Sequence, residues 1–153
     1  MIKSAELTAY HKAGHAVMCW VVGGRRLISV TIKPSDSKLG EIKYEPRHWV
    51  SHHDRDEIRN PEVWAELLKD AMIGYAGEQA QILKFGQAEP APDENRDYMV
   101  FLLILCTDIE RDQVMLDVKT ILEDNWARVQ AIAEALLERT TLSGQEFEEI
   151  FAK

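Results

Sequence analysis

The sequence predicts a mainly α-helical protein with one small β-hairpin, an α+β arrangement. Apolar side chains recur at helical spacing in several long segments, one segment alternates apolar and polar residues, and turn or capping residues separate them. At 153 residues, with 46% apolar and 29% charged residues, the chain has the composition of a globular protein and the length to bury a core. We therefore expect a single domain over residues 1–153.

The first helix and the hairpin are predicted in the amino-terminal third. Residues 4–22 carry apolar or small side chains along a helical repeat, with Ser4 as the expected N-cap and the glycine pair 23–24 as the stop. In residues 27–46, two short alternating segments flank a turn rich in Pro, Ser, Asp and Gly, which predicts two strands joined as a hairpin. Residues 46–59 are polar and irregular, which predicts an exposed loop.

The middle of the chain is predicted to hold two helices. Asn60 and Pro61 form a favourable helix start, with Asn as the N-cap and Pro in the first helical position, and the helix is expected to close near Gly86. A loop rich in proline and acidic residues follows. A third helix is then expected from about Arg96 to Glu110.

The tail is predicted to be helical to its end. Apolar residues recur there at i, i+3, i+4 spacing over two helices. The segment Ser143-Gly-Gln-Glu146 is a capping box, which predicts the start of a last short helix.

Charge and hydropathy argue against nucleic-acid and membrane partners and bear on the expected compartment. The formal net charge of −8 argues against a nucleic-acid or anionic-membrane surface, because both are polyanions. The most apolar run, residues 98–106, is far shorter than the ~20 residues needed to cross a bilayer, and no apolar leader precedes a cleavage site. Cys19 and Cys106 show no spacing pattern, which is typical of reduced core cysteines, so we expect a cytoplasmic protein.

The stretch AYHKAGHAV, residues 9–17, holds candidate metal ligands. His11 and His15 stand four apart, so on a helix they share one face at ~5–6 Å between Cβ atoms and can bind one Zn²⁺. A catalytic zinc site needs a third protein ligand as well. Histidines at this spacing can equally be core residues, but Gly14 costs a helix ~1 kcal/mol relative to alanine, which indicates that something approaches the backbone closely there.

Four segments, in order along the chain, resemble the peptidase domain of FtsH-type AAA proteases. TAYHKAGHAV is similar to that family's TAYHEAGHAV, and VTIKPSDSKLGEIKYEP is similar to its strand–turn–strand segment. AMIGYAGEQAQILKFG resembles a family helix that contains GGRAAEELIFG, and IAEALLERTTLSGQEFEEIF resembles LAEALLEKETLDGEEIEEIL. The resemblance covers nearly the whole chain and implies a mostly helical zinc metallopeptidase fold.

The resemblance also implies a ligand set for zinc. The family holds its metal with the two motif histidines, here His11 and His15, and with an Asp at the start of a later helix. Asp97 is the first choice for that acid because it directly precedes the apolar run, and Asp93 is the second because the preceding loop departs from the family pattern. Either acid could instead be an N-cap or a solvated loop residue. Gln81 stands where the family has a Glu.

Lys12 stands where the family has the glutamate that accepts a proton during hydrolysis. A protonated amine cannot act as a base and also repels a dication, so the resemblance implies a catalytically impaired pseudo-peptidase. A desolvated, neutral Lys12 could act as a base instead, and Glu78 or Glu94 could supply one. The simpler expectation is that Lys12 extends into solvent or pairs with an acid. The sequence shows no G-x-x-x-x-G-K-[ST] phosphate loop, so we expect a stand-alone domain without its own ATP-driven unfolding.

Other residues could contribute to a metal site. Cys19 lies four residues after His15 and could add a thiolate, although a small buried apolar residue is the simpler interpretation. His48, His52 and His53 could form a second site, or they could be solvated loop residues.

Three hypotheses follow for the function. The first is a zinc-binding pseudo-peptidase that holds a peptide or protein partner beside its cleft. The second is an active zinc metalloendopeptidase with an unconventional base. The third is a metal-free structural or protein-interaction domain in which the histidines only pack or hydrogen-bond.

Overall fold

The structure, a computed structural model, describes residues 2–23, 25–36, 38–45, 60–88 and 106–153. Its helices and strands are α1 Ser4–Val22, β1 Leu27–Thr31, β2 Glu41–Tyr44, α2 Pro61–Phe85, α3 Asp108–Asp124, α4 Trp126–Arg139, β3 Thr141–Ser143 and α5 Gly144–Phe151. The predicted fold class, mainly α with a small antiparallel β element, is confirmed.

The β element is a three-stranded antiparallel sheet in the order β2-β1-β3. The predicted hairpin is present: Val30 of β1 lies opposite Ile42 of β2. On its other side Val30 lies opposite Leu142 of β3, a strand that the sequence did not predict. Three residues are too few to show the alternation of a strand, and the last of them, Ser143, is also the N-cap of α5, so the segment resembles a helix start.

The first two helices have the predicted extents, with one shift at an end. Lys3, not Ser4, is the N-cap of α1, so Ser4 is already helical. Gly23 ends α1 with φ 72°, a conformation that glycine adopts without a steric cost. In α2 the side chain of Asn60 accepts a hydrogen bond from the backbone N–H of Glu62, and Gly86 ends the helix with φ 76°, as predicted.

The predicted third helix is wrong at its carboxyl end. Residues 96–105 lie outside the described residues, but a helix does not end near Glu110; α3 begins at Asp108. The hydroxyl of Thr107 accepts from the Glu110 N–H at 3.1 Å, and the Thr107 N–H donates to the Glu110 carboxylate at 3.0 Å. This second capping box makes the segment a helix start. The two tail helices and the short α5 are confirmed.

The core is built around α1, which packs against α2 on one side and against α4, β1 and α3 elsewhere. Fully buried side chains from all of these elements form one large cluster, and a smaller cluster of Trp64, Leu67, Ala71 and Cys106 joins α2 to the start of α3. Cys19 and Cys106 are both buried, as predicted for core cysteines. In the part of the chain that the structure describes, no helix has the length and apolar character to span a membrane.

Candidate metal centre

His11 and His15 lie together on the face of α1 that packs against α2. Each is only 5% exposed. Their Nε2 atoms are 3.0 Å apart, and the ring centroids are 4.6 Å apart with planes at 80°. The two rings therefore turn the same nitrogen toward one shared point.

A backbone carbonyl of α2 sets the tautomer of His15. Its Nδ1 lies 2.5 Å from the carbonyl oxygen of Ile73. A carbonyl oxygen can only accept, so Nδ1 carries the hydrogen, and in the neutral ring Nε2 carries a lone pair. In the metal-free pair His11 then donates from Nε2 to Nε2 of His15. The same arrangement, with one ring nitrogen held by a carbonyl, is how proteins commonly orient histidine ligands.

Gly14 brings the backbones of α1 and α2 into close contact. A Cβ at position 14 would lie 2.6 Å from the carbonyl oxygen of Ala76 and 2.7 Å from Cβ of Ala80, which is closer than real atoms approach. The predicted close approach to the backbone at Gly14 is confirmed, and the approaching element is α2.

Gly77 of α2 leaves open the space beside the imidazole nitrogens. A Cβ at this position would lie 2.5 Å from Nε2 of His15 and 2.8 Å from Nε2 of His11. Only glycine is compatible with the rings where they stand. Gly77 was not predicted as a site residue, and its only signal in the sequence is a glycine inside a long helix, where it costs ~1 kcal/mol relative to alanine.

The two imidazoles fit two of the ligand positions of a zinc ion. Zinc–nitrogen bonds of ~2.0–2.1 Å in a tetrahedral site place two ligand nitrogens about 3.3 Å apart. The separation of 3.0 Å between the Nε2 atoms of His11 and His15 is close to that value. Among the described residues no group of three or more His, Cys, Asp or Glu side chains could hold a metal. Asp97 and the alternative Asp93 lie outside the described residues.

Lys12 is buried beside the histidine pair. It is 8% exposed, so the expectation that its side chain extends into solvent is wrong. Its Cε lies 3.3 Å from where a Cβ of Gly40 would stand, next to the carbonyl of Thr31. Lys12 therefore extends along the end of the hairpin, and the glycine, at φ 96°, both makes the turn and leaves room for the amine.

Gln81 connects α2 to α1 one turn before the histidines. It is 2% exposed, and its amide donates to the carbonyl oxygen of Leu7 at 2.9 Å. The amide thus serves as a neutral link between the helices at the position where the similar family has an acid.

Glu78, one of the two acids considered as a substitute base, raises the pKa of a tyrosine on its own helix. Burial raises the pKa of Tyr75, the Glu78 carboxylate raises it further, and a hydrogen bond from Gln79 opposes both. The other acid, Glu94, lies outside the described residues.

Cys19 is turned toward a different part of the molecule. Its thiol is 1% exposed and donates to the carbonyl oxygen of Arg25 at 3.3 Å. Within the described part of the chain it forms no ligand group with the histidines. His48, His52 and His53 lie outside the described residues.

Two sequence relatives of this chain are zinc metalloproteases by name. The chain is 24% identical over 183 residues to the ATP-dependent zinc metalloprotease FtsH of Ruminiclostridium cellulolyticum, covering 95% of this chain. It is 28% identical over 181 residues to the protein of that name from Neorickettsia risticii, covering 94% of this chain. No protein-family model matches.

These matches relate the chain to one region of FtsH. The chain spans 30% of the length of the first relative and 28% of the second. The similarity therefore supports a relationship to a zinc metalloprotease at the level of this region.

Proposed function

We propose that this chain forms a zinc-binding, metallopeptidase-like domain that has lost efficient catalysis. His11 and His15 hold the metal, and Asp97 completes the ligand set. The observation that carries the proposal is the 3.0 Å separation of the two buried Nε2 atoms. Lys12, at the position of the general base, impairs hydrolysis, so the domain uses its cleft to hold a peptide or protein partner.

Three features of the described residues support zinc over simple packing. The Ile73 carbonyl selects the tautomer of His15 whose Nε2 can bind a cation. Gly77 keeps the space at both Nε2 atoms free of a side chain. The related proteins are zinc metalloproteases by name. A bound zinc ion would act as a Lewis acid at this position.

The chemistry of Lys12 supports impaired catalysis. General base catalysis typically contributes ~10²–10⁴-fold to a rate, and a protonated amine offers no lone pair to accept a proton. An ammonium beside a dication also weakens metal binding through charge repulsion. Because Lys12 is buried, solvent screens this repulsion less than it would at the surface.

Two observations favour competing functions. The burial of Lys12 is the environment that a neutral amine requires, which favours an active zinc peptidase with lysine as its base. The hydrogen bond between the two imidazoles gives the Nε2 atom of each ring a partner without a metal, which favours a metal-free interaction domain. Zinc binding and peptide hydrolysis separate these functions from the proposal.

Zinc titration tests the metal site. The purified chain, stripped of metal by dialysis against a chelator, is titrated with Zn²⁺ by calorimetry. We expect one zinc per chain, binding abolished by His15→Ala, and a loss of 10-fold or more in affinity for Asp97→Asn. Asp93→Asn and His53→Ala are the matched controls and should bind zinc like the native chain. Absence of zinc binding by the native chain would leave the metal-free domain as the function.

Peptide hydrolysis tests the role of Lys12. With zinc supplied, Lys12→Glu is expected to cleave an unfolded protein substrate at least about 100-fold faster than the native chain, because it restores a general base. Lys12→Gln removes the same charge without adding a base and should stay inactive. Adding His15→Ala to Lys12→Glu should abolish the gain. If the native chain cleaves as fast as Lys12→Glu, lysine is the base and the domain is an active peptidase.

A further inference from the structure

The outward face of α3 presents two aliphatic side chains to solvent. Val114, Val118 and Leu122 are buried and form the inward face of this helix. At 3.6 residues per turn, Ile109 and Leu116 fall on the opposite face, about 10 Å apart along the axis. Ile109 is 83% exposed and Leu116 is 58% exposed. The two side chains therefore form an apolar stripe on the surface.

Helix formation does not require this stripe. Glutamate or lysine forms a helix about as well as leucine and better than isoleucine, and either would be better solvated at an exposed position. Neither Ile109 nor Leu116 belongs to the apolar clusters formed by the described residues. Single exposed apolar residues are common at protein surfaces, but a spacing of seven residues on one face is the repeat by which one helix packs on another. The spacing therefore indicates a helical partner.

Acidic side chains surround the stripe. Helix α3 carries six acidic and two basic side chains, a formal charge of −4. Each basic side chain is paired within the helix: Nη1 of Arg111 lies 3.6 Å from Oδ1 of Asp108, and Nζ of Lys119 lies 3.9 Å from Oε1 of Glu123. Asp112 is exposed and lies three residues after the first apolar side chain and four before the second, so it is a surface neighbour of both. The stripe therefore lies among negative charges.

We propose that this face of α3 docks a basic amphipathic helix of a partner protein. Apolar residues of the partner, seven apart, pack against Ile109 and Leu116, and its lysine and arginine side chains face the acids of α3. Helical partners are commonly recognised through apolar anchors at such spacings, and complementary charge fixes their orientation. A second copy docked through the same face would oppose acid to acid, and an anionic membrane would be repelled. The proposal does not depend on zinc or on peptidase activity.

Three labelled peptides test the face. The first is a lysine-rich helical peptide with leucines along one face, the second has the same composition with its leucines distributed around the helix, and the third is the first with glutamate in place of lysine. Binding of each peptide to the native chain is measured by fluorescence anisotropy. We expect saturable binding of the first, at least 10-fold weaker binding of the second, and no binding of the third. Equal binding of the first two peptides, or no binding of the first, would overturn the proposal.

Substitutions in the stripe locate the binding. The double variant Ile109→Ser, Leu116→Ser should bind the first peptide at least 10-fold more weakly, because a few anchor residues carry most of the affinity of an interface. Both side chains are exposed, so the fold should be retained, as judged by circular dichroism. Leu137→Ser, at a leucine of α4 that is 40% exposed, is the matched control and should bind like the native chain.

A charge reversal gives a second measurement that does not need the double variant. Asp112→Lys and Glu149→Lys change the net charge of the chain equally, but Glu149 lies on α5, away from the stripe. Asp112→Lys should weaken binding of the first peptide at least threefold, and Glu149→Lys should leave it within about twofold of the native value. Equal effects of the two reversals, or unchanged affinity in Asp112→Lys, would place the binding elsewhere and overturn the proposal.

Sedimentation equilibrium tests a second copy as the alternative occupant. The native chain is compared with the double variant Ile109→Ser, Leu116→Ser. A dimer of the native chain that the double variant abolishes would overturn the proposal, because a second copy would then cover the face. The same association state in both supports it. Neither outcome bears on the zinc titration, so this proposal and the proposed function can fail separately.

Discussion

The two sides of α1 pack in opposite ways. Beside the imidazoles of His11 and His15, α1 meets α2 through glycines and alanines, and a ring contact between Tyr10 and Phe85 follows only at the end of α2. On the other sides contact is made by large rings: Tyr10 stacks on Trp126 of α4 at 5.9 Å between centroids, and Trp20 meets Phe147 of α5. One side brings backbones together around polar groups, and the other fills volume with apolar side chains.

This difference in packing distinguishes the candidate metal site from the apolar core. Buried polar rings are tolerated only where they find partners, and two inward-facing glycines lower helix stability. The α2 side carries both costs, whereas the aromatic and aliphatic side carries neither. The α2 side therefore gives up stability that the other side keeps, which the proposed metal site would explain.

The largest expected loss of stability comes from a substitution on the apolar side of α1. Leu136 of α4 is fully buried and belongs to the large core cluster. Leu136→Ala should lower the free energy of unfolding by about 2–5 kcal/mol, because it removes buried methyl groups and leaves a cavity. Urea denaturation followed by circular dichroism measures this loss. Leu137→Ala, at a neighbouring leucine that is 40% exposed, is the matched control and should change stability much less. Equal losses in the two variants would show that this side of the core is loosely packed.

On the α2 side, we expect a smaller loss of stability together with a complete loss of zinc binding. Gly77→Ala should cost about 1–3 kcal/mol through overpacking, partly offset by a gain of about 1 kcal/mol in helix propensity. Its methyl group must displace the Nε2 atoms of His11 and His15, so zinc binding should be lost.

Gly14→Ala is the matched comparison for Gly77→Ala. Its methyl group would be equally crowded, but the atoms it meets belong to Ala76 and Ala80. A similar loss of stability with zinc binding retained is the expected result, measured by urea denaturation and zinc titration on the same samples. Retention of zinc by Gly77→Ala would show that the ligand nitrogens point elsewhere.

The apolar side and the helix ends were predictable from the sequence because local signals determine them. The caps of α2 and α5 follow from Asn60-Pro61 and from Ser143 with Glu146, whose side chains bond to backbone within three residues. The same rule, applied to Thr107 and Glu110, would have placed the start of α3 correctly. The apolar run before Thr107 obscured it, because periodicity alone does not mark where one helix ends and the next begins.

The α2 side was only partly predictable because its key contacts are between distant segments. The spacing of His11 and His15 indicated that they share a face, but the carbonyl of Ile73 that orients one ring is 58 residues further along the chain. The role of Gly77 depends on where α2 crosses α1, which no local pattern encodes. Lys12 was expected to extend into solvent or to pair with an acid; its burial, which excludes the first, is a tertiary effect that the local sequence does not encode.

The smallest effect is expected at the start of α5, where a charge contributes to a local cap. The backbone N–H of Ser143 donates to the carboxylate of Glu146 and lowers its pKa below the usual 4.5, with further lowering from the Ser143 hydroxyl and from Arg139. Since the pKa is lower in the folded chain than in the unfolded chain, the carboxylate stabilises the fold above about pH 4.5. That stabilisation disappears as the pH falls through the lowered value.

Glu146→Gln keeps the shape of the capping side chain and removes its charge, so it isolates this contribution. Melting temperatures of the native chain and of the variant are compared from pH 7 down to pH 3. The native chain should melt higher at neutral pH, and the two curves should converge as the carboxylate becomes protonated. Glu149→Gln, on the same helix but outside the capping box, should show no such convergence. A difference for Glu146→Gln that persists unchanged to pH 3 would mean that packing of the side chain, and not its charge, supports the cap.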